Sequence, residues 1–273
     1  MADMYFRQNG NDMDVHDGTT WRRLVKFQPK RGMFQAFDAR IAAPDRATAP
    51  LLPEAQWVDV DKSRFLVGIK DQGQLGSCLT QAVTGSLEDL RAMIGLKRIR
   101  LCAEQLYGRV APYPRDQGST FEECLSEITL HGSVPESVVP AGVWNPGKYP
   151  SGWEQIALSY RAMEIYDCPT GAHLASACQL GFTCVLGVSV NDAFKPDANG
   201  VIHPYQPGNP NHGVRECGMR KIGGLWYFDM VNSWGTRWGM NGRALFPVKS
   251  LCTDVQAWAI RSPISPADDA MFS

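Results

Sequence analysis

DQGQLGSCLTQAV, residues 71–83, places a single cysteine where a glycine-containing turn runs into a helix. Apolar residues then recur between positions 79 and 94 at the spacing of one helical face, and Gly95 ends the pattern. Cys78 therefore falls in the first turn of the predicted helix, where unpaired backbone N–H groups and the helix dipole favour a thiolate over a thiol. This position is typical of a reactive cysteine rather than of a packed one.

Length and composition exclude several classes of protein. A chain of 273 residues can bury a large core, as one two-lobed domain or as two small ones. Its 44% of hydrophobic and 20% of charged residues indicate a globular protein. The formal net charge of −1 provides no field to attract nucleic acid or an anionic membrane, and no apolar run approaches the roughly 20 residues that span a bilayer. We therefore expect neither nucleic acid nor a membrane as a partner.

The eight cysteines could form disulfides, bind a metal or remain free thiols. Residues 1–18 lack the apolar stretch of a secretory signal, which predicts a cytoplasmic location and free thiols. The chain has no C-x-x-C pair, and Cys178 and Cys184 are its closest cysteines. We therefore expect no zinc site and no cofactor, and we expect most cysteines to be small buried hydrophobes.

A cysteine nucleophile needs a proton acceptor, normally a histidine that a third group orients. His203 and His212 lie between two predicted strands, at 184–190 and 226–231. The second strand runs into NSWG (232–235), where an amide could orient a histidine and an aromatic ring could cover it. Spacing alone leaves both histidines as candidates.

Several segments together resemble the papain-like cysteine peptidases, in particular the disulfide-poor bacterial and viral members. The matching segments are DQGQLGSC (71–78) for the nucleophile, PNHGV (210–214) for the histidine, VNSWGTRWGMNGRALFP (231–247) for the asparagine, and, less specifically, CAEQLY (102–107), DQGSTFEECLSEITLHGSVPES (116–137) and FTCVLGVSVNDAF (182–194). The resemblance covers residues from about 52 to 260. It makes His212 the base and His203 a bystander.

The resemblance implies a role for each residue of the site. Cys78 would attack the scissile carbonyl as the thiolate of a thiolate–imidazolium pair, and His212 would protonate the leaving amine. Asn232 would orient the imidazole under the cover of Trp234. The side chain of Gln72 would stabilise the oxyanion together with the backbone N–H of Cys78.

Gly118 and Ser119 match the family segment that holds an extended peptide or protein substrate as an added strand, and with Trp234 they form the expected substrate-binding set. Ser119, with Glu122 three residues later, also fits a capping box that opens a helix over 120–130.

The implied fold is α+β and two-lobed. A helical lobe with a long central helix carries Cys78, and it packs against a twisted antiparallel sheet or barrel that carries His212 and Asn232, with the cleft between them. The sequence agrees with this division, because helical periodicity dominates residues 77–131 and β-rich runs follow residue 182.

The predicted catalytic domain covers residues 52–262, between an N-terminal extension (1–51) and a C-terminal tail (263–273). The extension interleaves aromatic with basic residues. Three roles stay open for it: a packed leader, a plug in the cleft, or an arm that docks through residues 1–50 onto a protein partner or a second copy of the chain.

Two features depart from the family. Leu75 stands where secreted members carry a disulfide cysteine, and the presumed partner segment DQGST (116–120) has no cysteine either. In HGVREC (212–217), Arg215 and Glu216 follow the histidine where an apolar strand is usual. A buried unpaired charge is costly, so we expect that face to be open to solvent or covered by a partner.

Two classes of function follow from the sequence. The first is a cysteine peptidase that hydrolyses peptide bonds. The second is a papain-fold component of a bacterial or phage particle, or of another assembly, with little or no turnover. A cell-wall amidohydrolase with a related Cys/His core fits less well, because its third group differs from the Asn-Ser-Trp segment of this chain.

Overall fold

The computed structural model describes residues 5–9, 12–16, 20–24, 48–192, 194–202, 210–251 and 256–263. Its helices, in chain order, are α1 (Cys78–Met93), α2 (Ala103–Val110), α3 (Phe121–Leu130), α4 (Trp153–Leu158) and α5 (Gly171–Gln179). Its strands are β1 (Tyr5–Asn9), β2 (Asp12–His16), β3 (Trp21–Leu24), β4 (Val60–Asp61), β5 (Ala162–Asp167), β6 (Thr183–Val188), β7 (His212–Ile222), β8 (Leu225–Val231), β9 (Arg243–Pro247) and β10 (Ala257–Pro263). His203 and the tail beyond residue 263 lie outside the described residues.

Seven strands form one antiparallel sheet in the order β5-β10-β6-β7-β8-β9, and β4 pairs with β7. His212 opens β7 opposite Val188, and Asn232 follows the last residue of β8. Because β7 and β8 run antiparallel and Arg215 pairs with Val231, the start of one strand and the end of the other meet at the same end of the sheet. The register therefore brings the predicted base and its orienting amide together.

Helix α1 is the central helix of the other lobe, and every residue from Cys78 to Ala92 in it is buried. Two glycines let it approach β7 closely. A Cβ on Gly213 would lie 2.4 Å from the Leu79 side chain, and a Cβ on Gly85 would lie 2.4 Å from the Arg215 guanidinium. Since no side chain fits at either position, the first turn of α1 lies directly against the start of β7.

The α+β two-lobed architecture expected from the sequence is confirmed. One buried cluster belongs to the helical lobe, and a second belongs to the sheet and α5. The capping box at the start of α3 was wrong by one residue: Thr120 and Glu123 form it, not Ser119 and Glu122. The hydroxyl of Ser119 instead lies 3.2 Å from the sulfur of Cys124.

The expectation of an open or partner-covered face at Arg215 and Glu216 is wrong, because both side chains are buried and paired within the chain. The Arg215 Nε donates to the Asp89 carboxylate at 2.8 Å. The Lys62 Nζ donates to the Glu216 carboxylate at 2.5 Å and to the Phe182 carbonyl. The partners come from segments far away in the chain, which supply the counter-charges that the strand sequence does not.

Three observations concern the described part of the chain alone. Its seven cysteines are free and buried, and Cys252 lies outside it. No three of its His, Cys, Asp or Glu side chains gather in a group suited to a metal ion. None of its helices combines the length and the hydrophobicity of a membrane span.

Candidate active site

Cys78 begins α1, and its sulfur lies against the start of β7. The backbone N–H groups of Gly213 and Leu79 both interact with this sulfur. Gly213 directly follows His212, so the sulfur contacts the strand at the residue next to the predicted base. The fold thus brings the segment of the predicted nucleophile against the segment of the predicted base.

The His212 ring is oriented by Asn232, with 2.7 Å between the ring Nε2 and the amide Oδ1. The same Oδ1 accepts the backbone N–H of Ser233 at 2.8 Å, which fixes the orientation of the amide. An amide oxygen can only accept, so Nε2 carries the ring proton and Nδ1 carries the lone pair. Nδ1 is buried and has no hydrogen-bond partner among the described residues. It is therefore the atom that can take the thiol proton.

Aromatic rings enclose the imidazole. The Trp234 ring lies 4.9 Å from the His212 ring, centroid to centroid, and the Phe194 ring meets the imidazole edge-on at 6.4 Å. Both aromatic side chains are buried. They keep water away from the hydrogen bond between His212 and Asn232, which strengthens it. Sequence reasoning predicted Trp234 in this role and did not single out Phe194.

Gln72 is held in place by Ser233. The Gln72 backbone N–H donates to the Ser233 carbonyl at 2.9 Å, and the Ser233 hydroxyl donates to the Gln72 Oε1 at 2.8 Å. One proton of Nε2 goes to the Leu75 carbonyl at 2.9 Å. An amide nitrogen has two protons, so the second can serve an oxyanion near Cys78. The oxyanion role of Gln72 stays a prediction, and sequence reasoning missed Ser233, although it lies in the quoted NSWG segment.

Asp116 joins the loop before Cys78 to the predicted substrate wall. Its Oδ1 accepts the Gly76 backbone N–H at 2.9 Å and the Tyr107 hydroxyl at 2.6 Å. The same Tyr107 oxygen accepts the Gly118 backbone N–H at 2.9 Å. These hydrogen bonds connect the two loops that lack the disulfide cysteines of secreted members. Asp116 and Tyr107 were not predicted, although Asp116 opens the segment DQGST.

Burial acts against the expected thiolate–imidazolium pair in this arrangement. Burial raises the pKa of the Cys78 thiol to about 11, although neighbouring backbone N–H groups oppose the rise. Burial lowers the pKa of His212 to about 4, and the charge of Arg22 lowers it further, while the hydrogen bond to Asn232 opposes the change. Both groups are almost completely buried, with exposures of 1% and 0%. The N-terminal position of Cys78 does not offset this loss of solvation.

Strand β3 covers the site. The Arg22 guanidinium donates to the carbonyls of Gly73 and Trp234, both at 3.2 Å, and pairs with the Asp71 carboxylate. Arg23 donates to Asp116. Two side chains of the N-terminal extension, Arg22 and Arg23, therefore contact the loops next to Cys78.

Solved structures resemble this arrangement over most of the chain. Xylellain, a cysteine protease from Xylella fastidiosa, matches 80% of this chain and 96% of its own with a TM-score of 0.59 and 18% identity. The cysteine protease and lectin-like domains of Cwp84, from Clostridium difficile, match 90% of this chain and 62% of theirs with a TM-score of 0.67 and 15% identity. The chain has the papain-like fold. No family model matches the sequence.

The curated relatives of this chain include cathepsins and plant thiol proteases. The viral cathepsin of Adoxophyes honmai nucleopolyhedrovirus is 25% identical over 178 residues, which cover 65% of this chain and 52% of the relative. The oryzain gamma chain of Oryza sativa subsp. japonica is 28% identical over 229 residues, which cover 80% of this chain and 62% of the relative. The chain thus spans less than two thirds of the length of these relatives.

Proposed function

We propose that this chain is a papain-like cysteine peptidase that hydrolyses peptide bonds in peptide or protein substrates, in a reducing cytoplasm. The observation that carries the proposal is the arrangement of three side chains. The Cys78 sulfur lies against Gly213, the residue after His212. Asn232 accepts the proton of the imidazole Nε2, so the lone pair of the ring lies on Nδ1. A thiol beside an oriented imidazole is the arrangement that nucleophilic catalysis requires.

The residues support a complete acyl transfer. His212 Nδ1 takes the proton of the Cys78 thiol as the sulfur bonds to the scissile carbonyl carbon. Negative charge on the carbonyl oxygen is then stabilised by the Gln72 Nε2–H and the Cys78 backbone N–H. His212 returns the proton to the leaving amine as the C–N bond breaks, which leaves a thioester on Cys78. A water molecule, deprotonated by His212, then hydrolyses the thioester and regenerates the thiol.

Burial of the site favours the second candidate function, a papain-fold assembly component with little or no turnover. Burial disfavours the charged forms of Cys78 and His212 and leaves almost none of either side chain exposed for a substrate to reach. The two candidates differ in what happens when β3 leaves the cleft. A peptidase becomes active, whereas a structural component does not.

A peptide library decides between them. We expect the full-length Arg22→Gln variant, which loses the β3 contacts to Gly73 and Trp234, to cleave members of the library detectably by mass spectrometry. Adding Cys78→Ser should abolish this cleavage, whereas adding Cys168→Ser, at a buried thiol in the other lobe, should preserve it. Absence of cleavage by folded Arg22→Gln would favour the structural role. Cleavage that survives Cys78→Ser as well as it survives Cys168→Ser would place the nucleophile elsewhere.

A further inference from the structure

Strand β3 carries two consecutive arginines, Arg22 and Arg23, across the loops around Cys78. Successive side chains of a strand point to opposite sides, so the two guanidinium groups face different neighbours. Arg22 is 3% exposed and faces the segment that contains Trp234, whereas Arg23 is partly exposed and faces Asp116. One extended segment therefore reaches both sides of the loop that contains Gln72.

Arg22 donates to three hydrogen-bond acceptors. They are the carboxylate of Asp71 and the carbonyl oxygens of Gly73 and Trp234. A guanidinium offers five N–H donors in a planar fork, which can serve several acceptors at once. A neutral apolar side chain would remove the charged donor of Asp71, whose Oδ1 would keep the Gly73 backbone N–H at 3.0 Å, and would remove the Arg22 hydrogen bonds to the two carbonyls. The site is therefore selective for a guanidinium, and it lies beside the proposed oxyanion donor because Gly73 directly follows Gln72.

The second guanidinium meets a second acidic residue. Arg23 Nη1 donates to the Asp116 carbonyl and to its carboxylate Oδ2, both at 2.8 Å. A cavity of about 270 Å³ lies beside this contact, lined by Asp14, Trp21, Arg23, Gln74, Leu75 and Asp116. Strand and loop are thus not closely packed at this point, and the contacts of Arg23 with the loop are ionic hydrogen bonds, whereas Leu24 at the end of the same strand packs into the core of the sheet lobe. Such a contact can be exchanged for an equivalent one from another segment.

We infer that Asp71 and Asp116 form a recognition site for two consecutive arginines, and that Arg22 and Arg23 occupy it in place of an incoming peptide. The side chain of Asp71 is 54% exposed even with Arg22 bound, so the site can be reached from solvent. The inference rests on the proposed function, since it names the substrate class of that site as peptides with an Arg-Arg pair. It also makes β3 a built-in competitor of such peptides.

Peptide binding to the full-length Arg22→Gln/Arg23→Gln variant tests the inference without any need for turnover. The probes are acetylated TTWRRLVK, the sequence of residues 19–26, and the same peptide with both arginines replaced by glutamine. In isothermal titration calorimetry we expect the arginine peptide to bind at least tenfold more tightly. Adding Asp71→Asn should reduce this advantage at least fivefold. Adding Glu164→Gln, at an acidic residue on the distant strand β5, should leave it unchanged.

Equal affinity for the two peptides, or no binding of either, would overturn the inference. Circular dichroism shows whether the double variant folds. If it does not fold, iodoacetamide labelling of Cys78 in the full-length chain replaces the peptide-binding experiment. Asp71→Asn alone should then accelerate labelling at least threefold over the wild type, because β3 loses its carboxylate partner, and unchanged labelling would overturn the inference. Selective binding of the arginine peptide without cleavage of any peptide would refute the peptidase while leaving the recognition site in place. Cleavage of peptides without a preference for the arginine pair would overturn the recognition site while leaving the peptidase in place.

Discussion

Substituting Lys62→Met removes the positive partner of a buried ion pair while keeping an unbranched side chain of similar length. The Lys62 side chain is 6% exposed and that of Glu216 is not exposed, with 2.5 Å between the nitrogen and the oxygen. The Glu216 carboxylate would keep the Gly218 backbone N–H, at 2.7 Å, and the Cys178 thiol, at 3.3 Å. Neither group carries a full positive charge, so the carboxylate would be a buried and uncompensated anion.

The expected loss is large because of this burial. Removing one partner of a buried ion pair costs about 3–5 kcal/mol. For a domain of this size each kcal/mol lowers the Tm by about 2–4 °C, so Lys62→Met should lower it by roughly 6–20 °C. Differential scanning fluorimetry at pH 7 measures the shift. The control is Arg261→Met, which removes one partner of an exposed pair with Glu164 and should change the Tm by at most about 2 °C.

The double variant Lys62→Met/Glu216→Gln separates charge from packing. With both charges removed, the amide of the new glutamine can still accept the Gly218 N–H, and we expect at least half of the lost Tm to return. A Lys62→Met variant no less stable than Arg261→Met would refute the reasoning, since Glu216 would then be solvated or protonated at little cost. Absence of recovery in the double variant would assign the loss to packing instead.

Four further predictions follow from the site. Gln72→Ala, in a background with β3 released, should lower kcat about a hundredfold or more while leaving the rate of Cys78 labelling within about twofold, and an equal loss of both would contradict the oxyanion role. Labelling of Cys78 in the wild type should rise with pH towards its pKa of about 11, and a plateau below pH 8 would show an ionised thiol. The pKa of His212 is about 4 in the folded state, below the ordinary value of 6.5. Between these two pH values the unfolded state binds a proton that the folded state does not. The free energy of unfolding should therefore fall as the pH drops from about 6.5 towards 4. The free energy of unfolding in urea, compared between the wild type and His212→Gln, should show this dependence on pH, with a total change on the order of 3 kcal/mol. A difference between the two proteins that stays constant with pH would contradict the prediction. Gly213→Ala should destabilise the fold and impair labelling of Cys78, because the new methyl would meet Leu79, whereas Gly223→Ala, in an open turn, should leave the rate of Cys78 labelling unchanged.

Local sequence signals predicted the parts of the site that depend on local structure. The periodicity after residue 78 predicted helix α1, and the end of a predicted strand indicated Asn232. The strands left both His203 and His212 open, and the resemblance of PNHGV to the histidine segment of the family selected His212. The pairing of Arg215 and Glu216 could not be read in this way, because Asp89 and Lys62 lie 126 and 154 positions away in the chain. Only the folded sheet brings these charges together.

The rise that burial causes in the pKa of Cys78 could not be predicted for a similar reason. Its position at a helix N-terminus is a local property, and local reasoning favours a thiolate. Burial of the thiol is a long-range property that involves Gly213, which follows Cys78 by 135 positions. Burial thus affects the pKa of Cys78 more than the helix N-terminus does, and no local sequence pattern indicates that burial.

The bonds between Gln72 and Ser233 have a consequence for how the protein can open. The flanking residues extend this connection, since the Gly235 backbone N–H donates to the Lys70 carbonyl at 3.0 Å. Lys70 in turn pairs with Glu88 of α1 at 2.7 Å. The oxyanion donor, the orienting asparagine and the nucleophile helix are therefore fastened across the two lobes and should move as one rigid body. A peptide would gain entry by peeling away β3, which would uncover machinery that is already assembled, and no hinge between the lobes is required.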